Sequence, residues 1–536
     1  MKFKNFFRSI YYTLVLLLTI AYIVYRIFFT IPTTLGIVSI VFALIILFVE
    51  TWEAIDFFTY YMNILVGKKT SPKVPNSDDL DFPDVDVFIA TKNEPVSLLN
   101  HTVSACLNMK YPDKSKVHIF LCDDGNRPNV KELADEFHIN YLNRLNHQHA
   151  KAGNYNYALG KSKSPYIATF DADMAPTEDF LMNTIPYFLN TDEKIGFVQT
   201  PQSFENPDIF QYRFNLENDI PFEQEYFYHS LQLSKNSINA AVCCGTNVVF
   251  SRNALTDIKG FAKDTISEDI ATGMLIESKG YKCIVINKVL AYGKSVTELD
   301  GFLSQRSRWA RGNVQMLKRY KILSRDGLSF RQKLEYLSCV SYWFFGLRRM
   351  IYLLAPLLFS ILGIIVVDCD LPTFIAFWLP AYVLKRFTLD ILEDHRRSST
   401  WNKIYETIQA PVLSLEVLKE FFGFSKKQFD VTPKSNFTAD KMTSKNRKLL
   451  HSHLVLLLLN IIGLVFCILR LYDNNYTAYI LSFIWSLSNI FYLLVAVIFD
   501  LRTKKKNKIK FYPNKIYKYT RFSVLKIFTN RKVKNV

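Results

Sequence analysis

Six near-continuous apolar runs, at residues 11–29, 35–48, 351–367, 373–383, 453–469 and 478–499, constrain this sequence more than any other feature. A bilayer's hydrocarbon core is about 30 Å thick and is crossed by roughly 20 apolar residues whose backbone groups bond within the segment. The runs therefore predict six transmembrane helices, the run at 373–383 being the shortest. The first run is long, contains Arg26, and is followed by Ile31, Pro32 and Thr33 in place of a small-residue cleavage site. It reads as a retained helix and not as a signal peptide.

Positively charged loops stay in the cytoplasm, so the basic residues set the orientation. Lys2, Lys4 and Arg8 precede the first run, Lys68 and Lys69 follow the second, and Lys385, Arg386, Arg396 and Arg397 follow the fourth, while Asp368 and Asp370 mark an acidic turn between the third and fourth. Both termini are expected in the cytosol and the protein in the plasma membrane. Residues 502–534 carry thirteen Lys or Arg and no acid, which accounts for most of the net charge of +17. Beside a membrane such a tail reads as an anchor to anionic lipid headgroups, so a lipid bilayer and no nucleic acid is the expected partner. The eight cysteines form no Cys-x-x-Cys pair and lie beside no His cluster, which indicates neither a disulfide framework nor a zinc site.

Between the second and third runs lie about 250 residues with a soluble pattern. Short β-branched or aromatic runs at 85–90, 117–121, 166–170, 196–199, 241–250 and 283–289 alternate with helical stretches, as in an α/β domain. Three of these strands run into candidate ligand loops, Cys122-Asp123-Asp124-Gly125, Asp171-Ala172-Asp173 and Gln199-Thr200-Pro201, and ligands bind at strand ends in such sheets. Residues 328–350 and 401–424 mix charges with helical periodicity and read as interfacial amphipathic helices. The expected organisation is a membrane hairpin over 1–66, a cytosolic domain over 67–320, interfacial and membrane helices over 321–500, and a basic tail over 501–536.

Asp171 and Asp173 at a strand end can hold a divalent ion, and an ion bridging a diphosphate assists its departure. Near them in sequence order come Lys151-Ala152-Gly153-Asn154, Ser267-Glu268-Asp269 and Gln305-Arg306-Ser307-Arg308-Trp309. In the last, Arg308 suits a diphosphate and Trp309 offers a flat face to a sugar ring. Taken singly, Ser267 reads as an N-cap and the arginines as one face of an amphipathic helix.

The ordered set Asp-Asp-Gly, Lys-Ala-Gly-Asn, Asp-x-Asp, Ser-Glu-Asp and Gln-x-x-Arg-Trp resembles the processive family-2 glycosyltransferases, and within them the cellulose synthases. The stretches Val198-Gln199-Thr200-Pro201 and Cys243-Cys244-Gly245-Thr246 resemble further segments of that family, over roughly residues 85–450. Ser267 stands where the family usually has threonine. The resemblance implies a GT-A-type α/β glycosyltransferase domain inserted between the transmembrane helices of an α-helical membrane domain. It implies that Asp123 and Lys151 contact the nucleotide and that Asp171 and Asp173 bind Mg2+ or Mn2+ and the donor. Asp269 would be the general base, Cys244 and Gly245 would lie at the acceptor, Gln305 and Arg308 would hold the diphosphate, and Trp309 would stack under the terminal sugar. Phe429-Asp430-Val431-Thr432-Pro433-Lys434 resembles the family's gating loop, with Thr432 and Lys434 reaching the diphosphate.

These roles imply an inverting β-glucosyltransferase that polymerises glucose from UDP-glucose into a β-glucan, 1,4-linked or mixed 1,3/1,4-linked, and passes the growing chain across the membrane. A hyaluronan or chitin synthase-like polymerase, or a non-processive lipid glycosyltransferase, shares the same carboxylates and stands as the alternative. The stretch after Phe499 is too short for the cyclic-di-GMP-binding barrel of many bacterial cellulose synthases, so the expectation is a catalytic subunit without that domain. Oligomeric state is left open.

Overall fold

A computed structural model describes residues 2–67, 72–76, 81–189, 191–217, 219–220, 222–392, 398–424, 443–469 and 476–502. Thr432 and Lys434, with the rest of the 429–434 segment, and the basic stretch 503–534 lie outside the described residues.

The soluble part is built on ten strands: β1 Val85–Thr91, β2 Val117–Asp123, β3 Asn140–Leu142, β4 Tyr166–Asp171, β5 Met174–Pro176, β6 Ile195–Gln199, β7 Ser203–Phe204, β8 Val248–Ser251, β9 Lys282–Val285 and β10 Ala291–Gly293. Seven form one sheet in the order β3-β2-β1-β4-β8-β6-β9, and β5-β10-β7 form a second, small one. The strands β3, β2, β1 and β4 are mutually parallel, and β8 enters antiparallel between β4 and β6. Successive side chains of a strand face opposite ways. Accordingly Val87, Ile89, Leu121 and Phe170 pack one core on one face, and Phe88, Phe120, Ile167 and Phe250 pack another on the opposite face. With helices over both faces, β1 reads as an almost unbroken apolar run, as parallel strands do.

The exception in β1 is Asp86, which is 1% exposed. Its carboxylate accepts from Ser164 N at 3.0 Å, Ser164 Oγ at 2.7 Å and the Arg252 guanidinium at 2.7 Å, tying β1 to the loops that enter β4 and leave β8. Register does the rest. Thr91 lies opposite Asp123, and Ala90 opposite Asp171, so the C-terminal ends of β1, β2 and β4 form one rim.

Two expected strands are shortened. The run 241–250 is extended only at Val248–Ser251, because Gly245 (φ +71°) and Asn247 (φ +55°) adopt left-handed conformations that break a strand. The run 283–289 gives only Lys282–Val285.

The membrane expectation also changes. Among the described residues, four helices contain stretches long and apolar enough to cross a bilayer, Ile10–Phe29, Ile37–Asn63, Ser444–Leu469 and Thr477–Leu501. A fifth results if Phe330–Tyr342 and Phe345–Ser360 count as one span bent by 54°. That pair corrects two expectations, since residues 328–350 are not one interfacial helix and the helix at 351–367 stops at Ser360, with Gly363 beyond it left-handed (φ +72°). The run at 373–383 lies in the helix Leu371–Leu392, where Pro380, Lys385 and Arg386 leave it too polar to qualify. By length and composition, then, the described residues hold four such helices, or five with the bent pair, where six were expected.

The expected second interfacial helix is Ser399–Phe422, and it is buried instead of lying on a surface. Trp401, Ile404, Tyr405 and Ile408 pack against Phe210 and Phe302 of the catalytic region and against Tyr492 and Phe499 of the last helix. Its charged residues had disguised an apolar face that fills the seam between the two regions.

Replacing Arg252 with Met removes one partner of the buried Asp86 carboxylate while keeping the aliphatic stem. The expected cost is roughly 2 kcal/mol, read as a lower melting temperature of the detergent-solubilised protein.

Candidate active site

Lys151 organises the rim. Its ammonium donates to Asp171 Oδ1 at 2.5 Å and to the Gly245 carbonyl at 2.8 Å, and it lies 5.4 Å from the centroid of the Tyr155 ring. Asp171 is the last residue of β4, and its N–H donates to Thr246 Oγ1 at 2.9 Å. Asp173 follows in the tight turn into β5 and is 5% exposed. The carbonyl between them, Ala172 O, accepts from Thr102 Oγ1 at 2.8 Å, which fixes the turn.

Lys151 is itself held from below. Asp124 takes the Arg144 guanidinium in a fork at 2.6 and 2.7 Å, and Arg144 donates onward to the carbonyls of Gln148 and Ala150. A Cβ on Gly153 would fall 2.2 Å from both Arg144 Nη1 and Gln148 O. Gly153 is helical, so its use is close approach and not flexibility. Neither Arg144 nor the role of Asp124 was singled out from sequence, and only the repeated acid of Asp123-Asp124 signalled it.

Asp123 is fully buried. Its two oxygens accept from the N–H groups of Gly125 and Arg127 at 2.9 and 2.8 Å, from Arg127 Nη2 at 3.0 Å and from Tyr141 OH at 3.1 Å. It shapes the loop 124–127 from beneath, and Arg127 bridges onward to Thr91 Oγ1 and Glu94 O.

Gln199, at the end of β6, pins the segment that carries Cys244 and Gly245. Its Oε1 accepts from Cys244 N at 2.8 Å and its Nε2 donates to the carbonyls of Thr200 and Thr246, each at 2.9 Å. The left-handed Gly245 is required twice over, because a Cβ there would lie 3.0 Å from Asp269 Cβ, 3.2 Å from Asp269 Oδ2 and 3.4 Å from Lys151 Nζ. Asp171, Lys151, Gly245 and Asp269 thus meet at one point.

Asp269 lies in the first turn of the helix Glu268–Ser278. Ser267 occupies the N-cap position but makes no capping hydrogen bond with its side chain. Its work is against the helix Leu299–Tyr320, where a Cβ on Gly312 would sit 2.1 Å from Ser267 Oγ. Thr265 Oγ1 donates to Gly312 O at 3.0 Å and Ile266 N donates to Gln315 Oε1 at 3.0 Å, closing the seam. Gln305, Arg308 and Trp309 lie on that same helix, half-buried. Trp309 meets Trp343 edge-on with centroids 6.2 Å apart.

Burial pushes the Glu268 carboxyl up to about 7, helped by the charge of Asp269 and opposed by Lys151 and Arg308. Burial also raises Asp269, against a hydrogen bond from Ile270 N–H and the Lys151 charge, with Asp171 adding to the rise. For Lys151, burial works against the charge, but Asp171 and its neighbours outweigh it and hold the ammonium above the usual lysine range. Burial pushes the Cys244 thiol up, so it presents no thiolate.

Residues 166–389 match the model described as Glycosyl transferase family group 2. The chain is 34% identical over 436 residues to the cellulose synthase catalytic subunit (UDP-forming) of Pseudomonas fluorescens (strain SBW25), covering 81% of this chain and 57% of that protein. It is 33% identical over 411 residues to the corresponding subunit of Xanthomonas axonopodis pv. citri (strain 306), covering 77% and 56%. The chain is similar to cellulose synthase catalytic subunits over about four-fifths of its own length. It spans a little over half the length of those two relatives. Among solved structures, the mannosyltransferase PcManGT from Pyrobaculum calidifontis, in complex with GDP-Man and Mn2+, aligns with 72% of this chain and 99% of its own at 18% identity and a TM-score of 0.46. Much of the mixed sheet falls within the stretch that matches the glycosyltransferase model, and the apolar helices before and after it fit a flanking membrane domain.

Asp171 and Asp173 offer hard carboxylate oxygens at one strand end, and among the described residues no group of three or more His, Cys, Asp or Glu side chains could hold an ion without help. That donor set fits a divalent cation that completes its shell with phosphate oxygens and water, as Mg2+ and Mn2+ do.

If Asp269 is the group that takes the proton, turnover in a kcat/KM against pH profile is expected to fall on the acid side through its raised value. The limb should lie above the ordinary aspartate value of about 4. Replacing Lys151 with Met removes a cation that favours the ionised form, so the limb should move to higher pH in that variant.

Proposed function

We propose that this chain is a processive, inverting β-glucosyltransferase that polymerises glucose from UDP-glucose into a β-glucan, 1,4-linked or mixed 1,3/1,4-linked, and passes the polymer across the plasma membrane. The observation that carries the reading is the convergence of Asp269 with Lys151 and Asp171 at Gly245, on an element seated flush against the helix that bears Gln305, Arg308 and Trp309. A base, a phosphate-facing rim and an aromatic platform are the three parts that glycosyl transfer to a sugar hydroxyl requires. UDP-glucose as donor rests on the names of the relatives and on the motif set.

In this mechanism Trp309 lies under the terminal sugar of the polymer and presents its hydroxyl to Asp269. Asp269 takes the hydroxyl proton as the oxygen attacks C1 of the donor glucose from the face opposite the diphosphate. One C–O bond forms as another breaks, so an α-linked donor yields a β-link and UDP departs. Arg308 and Gln305 hold the diphosphate, and the Lys151 ammonium holds Asp171 in place beside it. A divalent cation on Asp171 and Asp173 would supply Lewis-acid stabilisation of the leaving diphosphate. The catalytic domain and both termini face the cytosol in this arrangement, where the nucleotide sugar is.

Asp269→Asn keeps shape and removes the base, so polymer synthesis should fall by ~10²-fold or more with UDP binding retained. Near-normal synthesis by that variant takes Asp269 out of the mechanism. Asp173→Ala should abolish the dependence of donor binding on added Mg2+ or Mn2+, measured by titrating labelled UDP-glucose with and without the ion. Feeding labelled UDP-glucose against UDP-N-acetylglucosamine, then digesting the product with linkage-specific glucanases, tests the sugar and the bond together; incorporation of N-acetylglucosamine alone would move the chain to the hyaluronan or chitin synthase class.

A further inference from the structure

Arg306 lies inside the Gln305–Trp309 motif at a position to which no role has been assigned above. It is 4% exposed and forms an ion pair with Glu223, whose side chain is 8% exposed. Glu223 is fixed in turn, since its N–H donates at 2.8 Å to Asp208, the carboxylate that also caps the helix Ile209–Phe214. A buried arginine whose one purpose was that salt bridge could point anywhere within reach of the glutamate. This one points along its own helix. Phe302 is four residues before it and Trp309 three residues after, both on the same helical face, and the guanidinium carbon lies 5.0 Å from the centroid of each ring. Its Nε–H makes no hydrogen bond among the described residues. One end of the guanidinium is therefore spent on Glu223, and the cation is placed over the rings of Phe302 and Trp309.

We propose that Arg306, held by Glu223, is a positioning residue for Trp309: it fixes the indole plane by cation–π contact so that the acceptor sugar meets a preset platform. This rests on the reading of Trp309 as the acceptor platform given above. The physical case is one of competing freedoms. Trp309 is half-buried, packs against the cluster that includes Val314, Trp343 and Phe345, and meets Trp343 edge-on, so the freedom left to it is a tilt of its plane that no stacked ring among the described residues restrains. A desolvated cation over one ring removes that freedom more strongly than an exposed one could, because no water competes for the charge.

A loosened platform predicts a specific fault. The donor still binds, but the acceptor hydroxyl is presented less often, and water takes its place as nucleophile, giving free glucose and UDP from UDP-glucose and water. The readout is glucose incorporated into polymer per UDP released, measured on the full-length protein in lipid nanodiscs with labelled UDP-glucose. Arg306→Lys preserves the charge and the pairing with Glu223 but not the flat guanidinium. It should lower that ratio about tenfold and leave UDP affinity and melting temperature near those of the wild type. Glu223→Gln serves as the second variant should the lysine change prove unstable, and it should lower the ratio about threefold by weakening the hold on the guanidinium. A purely structural role for the pair would instead lower the melting temperature and depress polymer and UDP release in proportion, and that outcome overturns the proposal, as do wild-type ratios in both variants. Trp309→Ala separates the two levels: if it uncouples while the Arg306 and Glu223 variants do not, the platform stands and the positioning role falls. If Trp309→Ala itself keeps the wild-type ratio, the platform reading fails and the inference with it.

Discussion

The Lys151 ammonium is the charge on which the architecture of the site depends. Asp171 touches it, and Glu268 and Asp269 feel it from across the Gly245 turn. Acidic groups brought this close in a dehydrated rim raise one another's affinity for protons, and without a fixed cation the cheapest response is for one of them to stay protonated. Glu268, at about 7, is already part of the way there. The support beneath Lys151, from Asp124 through Arg144 to the carbonyls of Gln148 and Ala150, is correspondingly rigid and buried. A point charge tunes several neighbours at once only if its place is fixed.

A second dependence runs from the site to the membrane helices. The helix Leu299–Tyr320 carries the motif residues on one stretch and, a turn further on, meets the helix Ser399–Phe422. Arg311 Nε and Gln315 Nε2 both reach the Glu420 carboxylate at 3.1 Å, and Lys318 donates to Glu420 O at 2.8 Å. The other end of Ser399–Phe422 is sealed by Trp401 and Tyr405 among Phe210, Phe214 and Phe499. Thr407 of the same helix accepts from Arg349 at its hydroxyl, and its carbonyl lies 3.2 Å from His453. One helix therefore touches the motif-bearing helix and three apolar helices, so a displacement of either region is felt by the other through packed side chains.

What was legible in the sequence follows from the range of the signals. β1, β2 and β4 were readable because parallel strands buried on both faces leave unmistakable apolar runs, and the acids that end them fall where register puts them on one rim. The elements read wrongly were decided at longer range. Residues 241–247 have strand-like composition, yet Gln199, far away in sequence, captures the amide of Cys244 and the carbonyl of Thr246 and holds a turn there. Residues 328–350 have one helical periodicity, but the chain bends by 54° after Tyr342, where it passes from the flank of the catalytic domain to an apolar helix. Ser399–Phe422 looked interfacial because its charges are real, and they serve contacts between helices. In the site, the residues with a catalytic motif stood out, while Arg144, which supports them from beneath, carries no motif of its own, and Gln199 and Thr246 lie in recognisable segments whose part in holding the turn only the fold reveals.

The seam between Ser267 and Gly312 deserves a last consequence. The two helices that bear Asp269 and Trp309 touch where a single carbon on residue 312 would overlap the serine hydroxyl at 2.1 Å. The spacing between base and platform is thus set by an atom that is not there. Change at position 312 can be accommodated only by moving one helix against the other, since the added carbon would also lie 2.7 Å from the backbone nitrogen of Ser267. The seam acts as a gauge block, a fixed thickness against which the two halves of the site are assembled.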